Sequence, residues 1–189
     1  MAKVTSRRRE VIKPSKIITR VRPSYCYLRP TFAGAMKRIM ICGAGGQLGQ
    51  KLIGAARALP GEGPRIFAYN RSSLDITKPT DLRVAFAEAK PDLVFNAAAY
   101  TAVDRAESEP ELARKVNVEG CGRLAAACYQ AEIGFVHFST DYVYADGYNR
   151  PLREGDRTLG TSVYARTKLE GENEVMKHHP SALIIRTSW

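Results

Sequence analysis

The chain has 189 residues and a formal net charge of +10, but residues 1–35 hold nine Lys or Arg and one acidic residue, so the remaining 154 residues are nearly neutral. No run approaches the roughly 20 apolar residues of a membrane span, and the four Cys residues form neither a CxxC pair nor a His/Cys metal spacing. These properties argue against a membrane-spanning segment and a metal-binding module, and they predict a protein of a reducing, cytoplasmic compartment.

Residues 1–35 are predicted to form a basic disordered extension. Arg7-Arg8-Arg9 and the scattered Pro, Ser and Arg residues are typical of a disordered arm, and an apolar core of a secretory signal is absent. Such an arm can bind nucleic acid or an anionic membrane. A transit peptide is another possible interpretation, but three prolines would interrupt the amphipathic helix of such a peptide. Because Met36 opens an ordinary nucleotide-binding strand, we favour an extraneous or merely disordered arm, with neither nucleic acid nor membrane as a partner.

Residues 36–189 alternate short apolar runs with helical patterns. The predicted strands are 38–42, 65–69, 92–96, 133–138 and 182–185, and the predicted helices are 50–59, 79–90, 107–130 and 162–179. This alternation predicts an α/β fold with a doubly wound parallel sheet, covered by helices on both faces. Ligands of such sheets bind at the carboxyl ends of the strands, where Gly43, Asn70, Ala97 and Ser139-Thr140 are expected.

A glycine-rich turn follows the first of these strands. Gly43, Gly46 and Gly49 have a GxxGxxG spacing before a helix. The first glycine permits a tight turn, the second lets the backbone approach a pyrophosphate, and the third lets the helix pack close to the strand. Glycines also mark ordinary turns, but strand, turn and helix together predict a dinucleotide site at the N-terminus of the helix.

The end of the second strand bears on the choice of cofactor. An acidic residue there would bind the adenosine ribose and favour NAD, whereas this chain has Asn70 and Arg71. Asn70 does not repel a 2′-phosphate and Arg71 can pair with one, so we predict NADPH. NADH is the alternative if Arg71 is only a solvated loop charge. Asp75, beside Ile76, either accepts a hydrogen bond from the adenine amine or stabilises a turn.

Tyr164 and Lys168 carry the catalytic prediction, since residues four apart share one face of a helix. A tyrosine loses its proton near pH ~10, and an adjacent ammonium favours the phenolate and lowers that pKa. The pair can then donate and recover a proton, as ketone reduction requires, while the Thr140 hydroxyl fixes the carbonyl oxygen. Chance placement is the alternative for the pair alone, but both residues follow a nucleotide-binding opening in the expected order.

Seven blocks of the sequence occur in the order of a known family. They are Gly43–Gly49, Leu74–Thr77, Asn96–Asp104, Glu107–Pro110, Ser139–Val143, Tyr164–Glu172 and Arg186–Trp189. In these blocks the chain resembles the dTDP-4-dehydrorhamnose reductases of the extended short-chain dehydrogenase/reductase superfamily. The resemblance implies hydride transfer from a nicotinamide cofactor to dTDP-4-dehydro-6-deoxy-L-mannose, giving dTDP-L-rhamnose for cell-surface polysaccharide. A non-catalytic relative, the regulatory beta subunit of methionine adenosyltransferase, carries similar blocks, so a dinucleotide-binding regulatory subunit is the alternative.

The resemblance also implies roles for single residues. Those expected to contact the cofactor are Gly46, Gln47, Leu48, Asn70, Asp75, Ile76, Ala97, Ala98, Ala99, Tyr100 and Thr101. Tyr164 would donate the proton, Lys168 would bind the nicotinamide ribose, and Thr140 would hydrogen-bond the substrate carbonyl. Those expected to hold the sugar nucleotide are Asp141, Tyr142 and Trp189, although Trp189 could equally be a packed core indole.

The chain departs from the family pattern at two positions and in length. It carries one extra residue in Val143–Gly147, which could re-aim the substrate loop, and Ala165 where the family usually has Gly. The family continues past the Arg-Thr-Ser-Trp block with a substrate domain. We therefore expect 36–189 to be the NAD(P)-binding domain alone, which binds dinucleotide but turns over sugar nucleotide poorly or not at all. The most extreme alternative is an inactive truncated fragment. Family members often form homodimers, sometimes with Mg²⁺, but no metal-ligand cluster maps onto this sequence.

Overall fold

The computed structural model describes residues 19–21 and 37–188, apart from 146 and 148. Most of the predicted N-terminal arm, Met36 and the predicted substrate residue Trp189 therefore lie outside the described residues. The strands are β1 (Thr19–Val21), β2 (Arg38–Cys42), β3 (Arg65–Tyr69), β4 (Leu93–Asn96), β5 (Gly134–Thr140) and β6 (Leu183–Thr187). The helices are α1 (Gln47–Arg57), α2 (Pro79–Ala89), α3 (Val103–Ala106), α4 (Pro110–Arg114), α5 (Cys121–Gln130) and α6 (Val163–His178).

The six strands of the described chain form one sheet in the order β1-β6-β5-β4-β2-β3. The five strands from β2 to β6 run parallel to one another, and one or more helices connect each of them to the next along the chain, as parallel strands need a crossover. This arrangement confirms the predicted doubly wound, Rossmann-like α/β fold. The predicted strand boundaries agree with the observed ones to within two residues, because buried parallel strands are nearly continuous apolar runs.

The N-terminal arm contributes one strand to this sheet. In β1, Val21 lies opposite Ile184 and Thr19 opposite Arg186, antiparallel to β6. Residues 19–21 are thus part of the sheet, and the disordered extension expected over 1–35 stays a prediction. The rest of the arm lies outside the described residues.

Successive residues of β2 point to opposite faces of the sheet and build two apolar layers. Met40 packs into the larger core, between the sheet and the helices α2, α5 and α6. Ile39 and Ile41 pack on the other face against Ile53 of α1. Both faces of the central strand are thus buried, which fixes the carboxyl ends of the strands relative to the helices that begin there.

The helix predicted over 107–130 is interrupted in the structure. It begins at Pro110, a residue suited to the first helical position, passes through a π-helical segment at Lys115–Gly120 and continues as α5. The π-helical segment turns Asn117 inward, and a Cβ atom on Gly171 of α6 would overlap the Asn117 carbonyl oxygen. The glycine therefore allows α6 to approach closely, and π-helical turns of this kind are frequent at functional sites.

None of the helices within the described ranges is long and apolar enough to cross a membrane. The three cysteines described, Cys42, Cys121 and Cys128, are buried and unbridged. Burial raises the pKa of Cys42 to about 12. A thiol with so high a pKa is a poor nucleophile, and all three cysteines pack in the larger apolar core.

Candidate active site

A cavity of about 750 Å³ opens at the carboxyl ends of the parallel strands. Five strand ends contribute to its wall, through Gly43 after β2, Asn70 after β3, Ala97 after β4, Thr140 in β5 and Thr187 in β6. The predicted site residues that line it are Gly43, Gly46, Gln47, Leu48, Asn70, Arg71, Asp75, Ile76, Ala97, Ala98, Ala99, Tyr100, Thr101, Thr140, Tyr142, Tyr164 and Lys168. The fold thus brings together residues that are up to 125 positions apart in the sequence.

The glycine turn has little room for side chains. Gly43 has a φ of +80°, and a Cβ atom there would lie 2.5 Å from the Ala98 nitrogen. The Gly46 N–H donates to the Gly43 carbonyl at 3.0 Å, which closes the turn. Gly46 caps α1 without a side-chain acceptor, so the first N–H groups of the helix can bind phosphate oxygens.

Gly49, the third glycine of the predicted dinucleotide turn, does not line the cavity. A Cβ atom on Gly49 would overlap the Gly43 carbonyl oxygen and lie 2.8 Å from the Ala44 Cα atom. Gly49 therefore acts through close packing of α1 on the turn, the role that the third glycine of such motifs has.

The predicted adenosine end of the cavity is a compact turn after β3. The Asn70 Oδ1 atom accepts hydrogen bonds from the Ser72 hydroxyl at 2.7 Å and from the backbone N–H groups of Ser72 and Ser73. Asn70 therefore holds the turn with its carbonyl and keeps its NH₂ group as a donor. Arg71 follows on the exposed cavity wall. Neither residue carries the negative charge that would repel a 2′-phosphate.

Asp75 plays the turn role that was one of its two predicted roles. Its Oδ1 atom accepts from the Thr77 N–H at 2.9 Å and from the Thr77 hydroxyl at 2.8 Å. Burial raises its pKa, but these hydrogen bonds and the charges of Lys78 and Arg71 outweigh burial, and the net pKa lies below the ordinary value. Asp75 is thus an anion at neutral pH, and its contact with adenine stays a prediction.

The predicted catalytic residues meet at the opposite end of the cavity. Ser162 caps α6 by accepting from the Ala165 N–H at 3.1 Å, and the helix then carries Tyr164 and Lys168 toward the end of β5. The Lys168 ammonium donates to the Phe138 carbonyl at 2.7 Å. Thr140 is almost fully buried beside them, with 2% of its surface exposed.

The predicted lowering of the Tyr164 pKa by Lys168 is wrong for this structure. Burial raises the pKa of Tyr164. The neighbouring Tyr142 and Asp141 raise it further, and only hydrogen bonding with Thr140 lowers it. The ammonium is held at the Phe138 carbonyl, and burial lowers the pKa of Lys168 itself. The phenol therefore keeps its proton at neutral pH, which is the state that a proton donor needs.

Two predicted substrate residues lie on the far side of Tyr164. Tyr142 packs edge-on against the Tyr164 ring, with 6.0 Å between the ring centroids. It separates the main cavity from a smaller one of about 540 Å³, which Asp141 and Ser162 help to line. Asp141 therefore faces the second cavity and not the first. The loop with the extra residue borders this second cavity, although residue 146 is outside the described residues.

Sequence reasoning missed a buried amide that connects the cofactor-lining segment with the catalytic helix. Asn117 accepts from the Tyr100 N–H at 2.8 Å and donates to the Tyr100 carbonyl at 3.1 Å and to the Thr167 hydroxyl at 3.2 Å. Thr167 in turn donates to the Tyr164 carbonyl at 3.0 Å. The available signal was an Asn on the apolar side of a predicted helix.

Sequence reasoning also missed a buried polar group beneath Lys168. The Asn96 Oδ1 atom accepts from the Ala98 N–H at 3.2 Å, so its Nδ2 group is the donor toward His137 Nδ1 at 3.1 Å. This places the His137 proton on Nε2. Burial and the charge of Lys168 hold the pKa of His137 well below its usual range. The imidazole is therefore neutral and adds no second positive charge beside Lys168.

A buried ion pair fixes α6 against β6. The Arg186 guanidinium donates to both carboxylate oxygens of Glu172, at 2.6 and 2.9 Å, and also lies 4.7 Å from the centre of the Tyr144 ring. Both partners are more than 90% buried. Removing one partner of such a buried ion pair is strongly destabilising, because the other charge is then left unpaired in the interior.

No group of three or more His, Cys, Asp or Glu side chains in the described part of the chain could hold a metal ion. The cavity instead offers a glycine turn, a helix N-terminus and small side chains behind β4. The basic side chain of Arg71 lies at one end of the cavity, and the phenol of Tyr164 lies at the other. These groups fit a nicotinamide dinucleotide, whose phosphates would lie at α1 and whose adenosine would lie near Arg71.

The RmlD substrate binding domain model matches residues 36–189. Similar proteins include the dTDP-4-dehydrorhamnose reductase of Mycolicibacterium smegmatis, 43% identical over 81% of this chain and 46% of that protein. The solved dTDP-4-dehydrorhamnose reductase of Clostridium acetobutylicum is 40% identical, with a TM-score of 0.70 over 76% of this chain and 50% of that one. That of Bacillus anthracis, in complex with NADP, is 32% identical, with a TM-score of 0.72 over 79% and 52%.

The chain spans about half the length of the curated relatives it matches. The matched region begins at Met36 and contains the whole described cavity. The chain therefore belongs to the RmlD substrate binding domain family.

Proposed function

We propose that this chain forms the dinucleotide-binding part of an NADPH-dependent reductase that converts dTDP-4-dehydro-6-deoxy-L-mannose to dTDP-L-rhamnose, for cell-surface polysaccharide. The observation that carries the proposal is the convergence of Tyr164, Lys168 and Thr140 at one end of a cavity whose other end holds the glycine turn and Arg71. The names of the similar proteins support the same reaction.

The residues of this chain would divide the chemistry as follows. A bound nicotinamide supplies the hydride. Tyr164 donates its phenolic proton to the substrate carbonyl oxygen, and its raised pKa keeps that proton in place until the oxygen becomes basic. Thr140, which lies within hydrogen-bonding reach of the phenol, orients the same oxygen. Lys168, held by the Phe138 carbonyl, offers its remaining N–H groups to the ribose.

The preference for NADPH rests on charge at the end of β3. Arg71 lines the cavity, and the charge of Asp75 is already balanced by two hydrogen bonds and two nearby cations. A 2′-phosphate placed near Arg71 would gain a charge-assisted hydrogen bond that NADH cannot make. NADH remains the alternative cofactor, since it can use every other part of the cavity.

The test compares Tyr164→Phe with a matched Tyr129→Phe control, because Tyr129 is exposed on α5 away from the cavity. Fluorescence titration with NADPH measures cofactor binding, and single-turnover oxidation of NADPH by the sugar nucleotide measures chemistry. We expect both variants to bind NADPH like the parent chain. Tyr164→Phe should slow reduction at least ~10²-fold, within the range typical of a lost general acid, and Tyr129→Phe should not.

The alternative functions give different results in the same assays. A regulatory subunit binds NADPH but shows no reduction before or after the Tyr164 substitution. An inactive fragment binds neither NADPH nor NADH. Binding to neither cofactor contradicts the proposed function, whereas binding without reduction agrees with the poor turnover expected of this chain and contradicts only its ability to catalyse the reaction alone.

A further inference from the structure

The Glu107–Pro110 block lines no part of the main cavity, yet its first carboxylate reaches the catalytic helix. The Glu107 Oε1 atom accepts a hydrogen bond from the Val163 N–H at 2.8 Å, across 56 residues of sequence. Val163 is the first residue of α6 and directly precedes Tyr164. The contact is therefore made to the backbone of the residue before the proposed proton donor.

The two caps of α6 have different mechanical effects. Ser162 belongs to the helix and moves with it, so its hydrogen bond to the Ala165 N–H stabilises the helix without locating it. Glu107 follows α3, a separate element, and its bond to Val163 fixes the start of α6 relative to that element. A carboxylate is also favoured at a helix N-terminus by the helix dipole.

The element that carries Glu107 is itself connected to the cofactor-lining segment. The Tyr100 hydroxyl donates to Glu109 Oε2 at 2.6 Å. Tyr100, Ala106, Val163 and Tyr164 belong to one buried apolar cluster. The carboxylate of Glu107 thus joins two parts of the site that the cluster holds side by side.

We propose that Glu107 is a positioning residue, which sets the place of Tyr164 by accepting the first N–H of α6. The proposal rests on the proposed role of Tyr164 as proton donor. What matters is the reach of the acceptor oxygen, since the contact is a hydrogen bond to a backbone N–H. The negative charge is not required.

Reach and charge are separated by two conservative variants. Glu107→Gln keeps the chain length and an acceptor oxygen but removes the charge. Glu107→Asp keeps the charge but is one methylene too short for the observed contact. Glu119→Gln and Glu119→Asp are matched controls, because Glu119 is exposed and pairs only with Arg123 among the contacts described.

The first readout does not depend on activity. The ¹³Cζ resonance of Tyr164 is assigned by its loss in Tyr164→Phe, and hydrogen exchange is followed at the Val163 amide. We expect Glu107→Asp to displace the resonance and to speed exchange roughly fivefold, as loss of one hydrogen bond allows. Glu107→Gln and both Glu119 variants should match the parent chain. A resonance unchanged in Glu107→Asp, or displaced as far in Glu107→Gln as in Glu107→Asp, overturns the proposal.

The second readout is the single-turnover rate. Glu107→Asp should lower the rate at saturating substrate about 10-fold, less than the 10²-fold that a 1 Å misplacement can cost. The NADPH dissociation constant of Glu107→Asp should stay within twofold of the parent value. Glu107→Gln should reduce the substrate at the parent rate. An equal loss in both variants overturns the proposal. A parent chain that binds neither NADPH nor NADH refutes the proposed reductase function, whereas the Tyr164 resonance and the Val163 exchange still decide the role of Glu107.

Discussion

Replacing Asn117 with Ala should destabilise the fold more than any exposed substitution. The change removes three hydrogen bonds and leaves the Tyr100 N–H and carbonyl without their partner in the interior. Each buried backbone group left unpaired costs about 1–3 kcal/mol, so for the two groups we expect a loss of about 2–6 kcal/mol in the free energy of unfolding. A domain of this size has only about 5–15 kcal/mol in total.

Urea denaturation followed by circular dichroism measures this loss. The control is Asn173→Ala, because Asn173 is exposed in the middle of α6, and substitutions at such positions usually stay within about 0.5 kcal/mol. A second effect should accompany the first. Tyr100 lines the cavity, so Asn117→Ala should also weaken NADPH binding in conditions where the variant is folded.

The reasoning about Asn117 would be refuted by a destabilisation below about 1 kcal/mol. Such a value would mean that the Tyr100 peptide finds other partners when the amide is removed. A loss equal to that of Asn173→Ala would have the same meaning.

Two further predictions concern charge. Arg71→Ala should weaken NADPH binding about 10-fold and leave NADH binding within twofold, because only NADPH carries the 2′-phosphate; parallel fluorescence titrations measure the ratio, and equal losses for both cofactors would contradict the assignment. Stability should fall as the pH drops below the unfolded His pKa of about 6.5, because His137 is held neutral in the fold, with a pKa well below its usual range, and binds a proton on unfolding. This single group contributes a slope of up to about 1.4 kcal/mol per pH unit, which urea denaturation between pH 5 and 7 should detect and which His137→Gln should remove.

The secondary structure of this chain is largely legible in its sequence because each strand is a short apolar run. Strands β2 and β3 lie where the pattern predicts them, at 38–42 and 65–69. The helix over 107–130 was predicted as continuous, since its apolar periodicity hardly changes at Lys115–Gly120. The π-helical turn packs closely against Gly171 on α6, which is distant in the sequence.

The candidate site follows the same division. The glycine turn, Arg71 and the Tyr164–Lys168 spacing are local patterns, and the parallel sheet places their strand ends at one edge. The Asn117 and Asn96–His137 contacts were missed because each joins residues 17 to 50 positions apart. The local signal, an Asn on the apolar side of a predicted helix, indicates that Asn117 is buried but does not identify its partners.

The sequence by itself determined the order of the strands and helices, the dinucleotide turn and the identity of the groups that meet in the cavity. The first two follow from periodicity and glycine spacing, which are properties of short segments, and several of the cavity groups follow from the resemblance to a known family. Only the tertiary structure decided the protonation of Tyr164, the place of the Lys168 ammonium and the second cap of α6. Burial and long-range hydrogen bonds set these properties, and both exist only when distant segments have packed together.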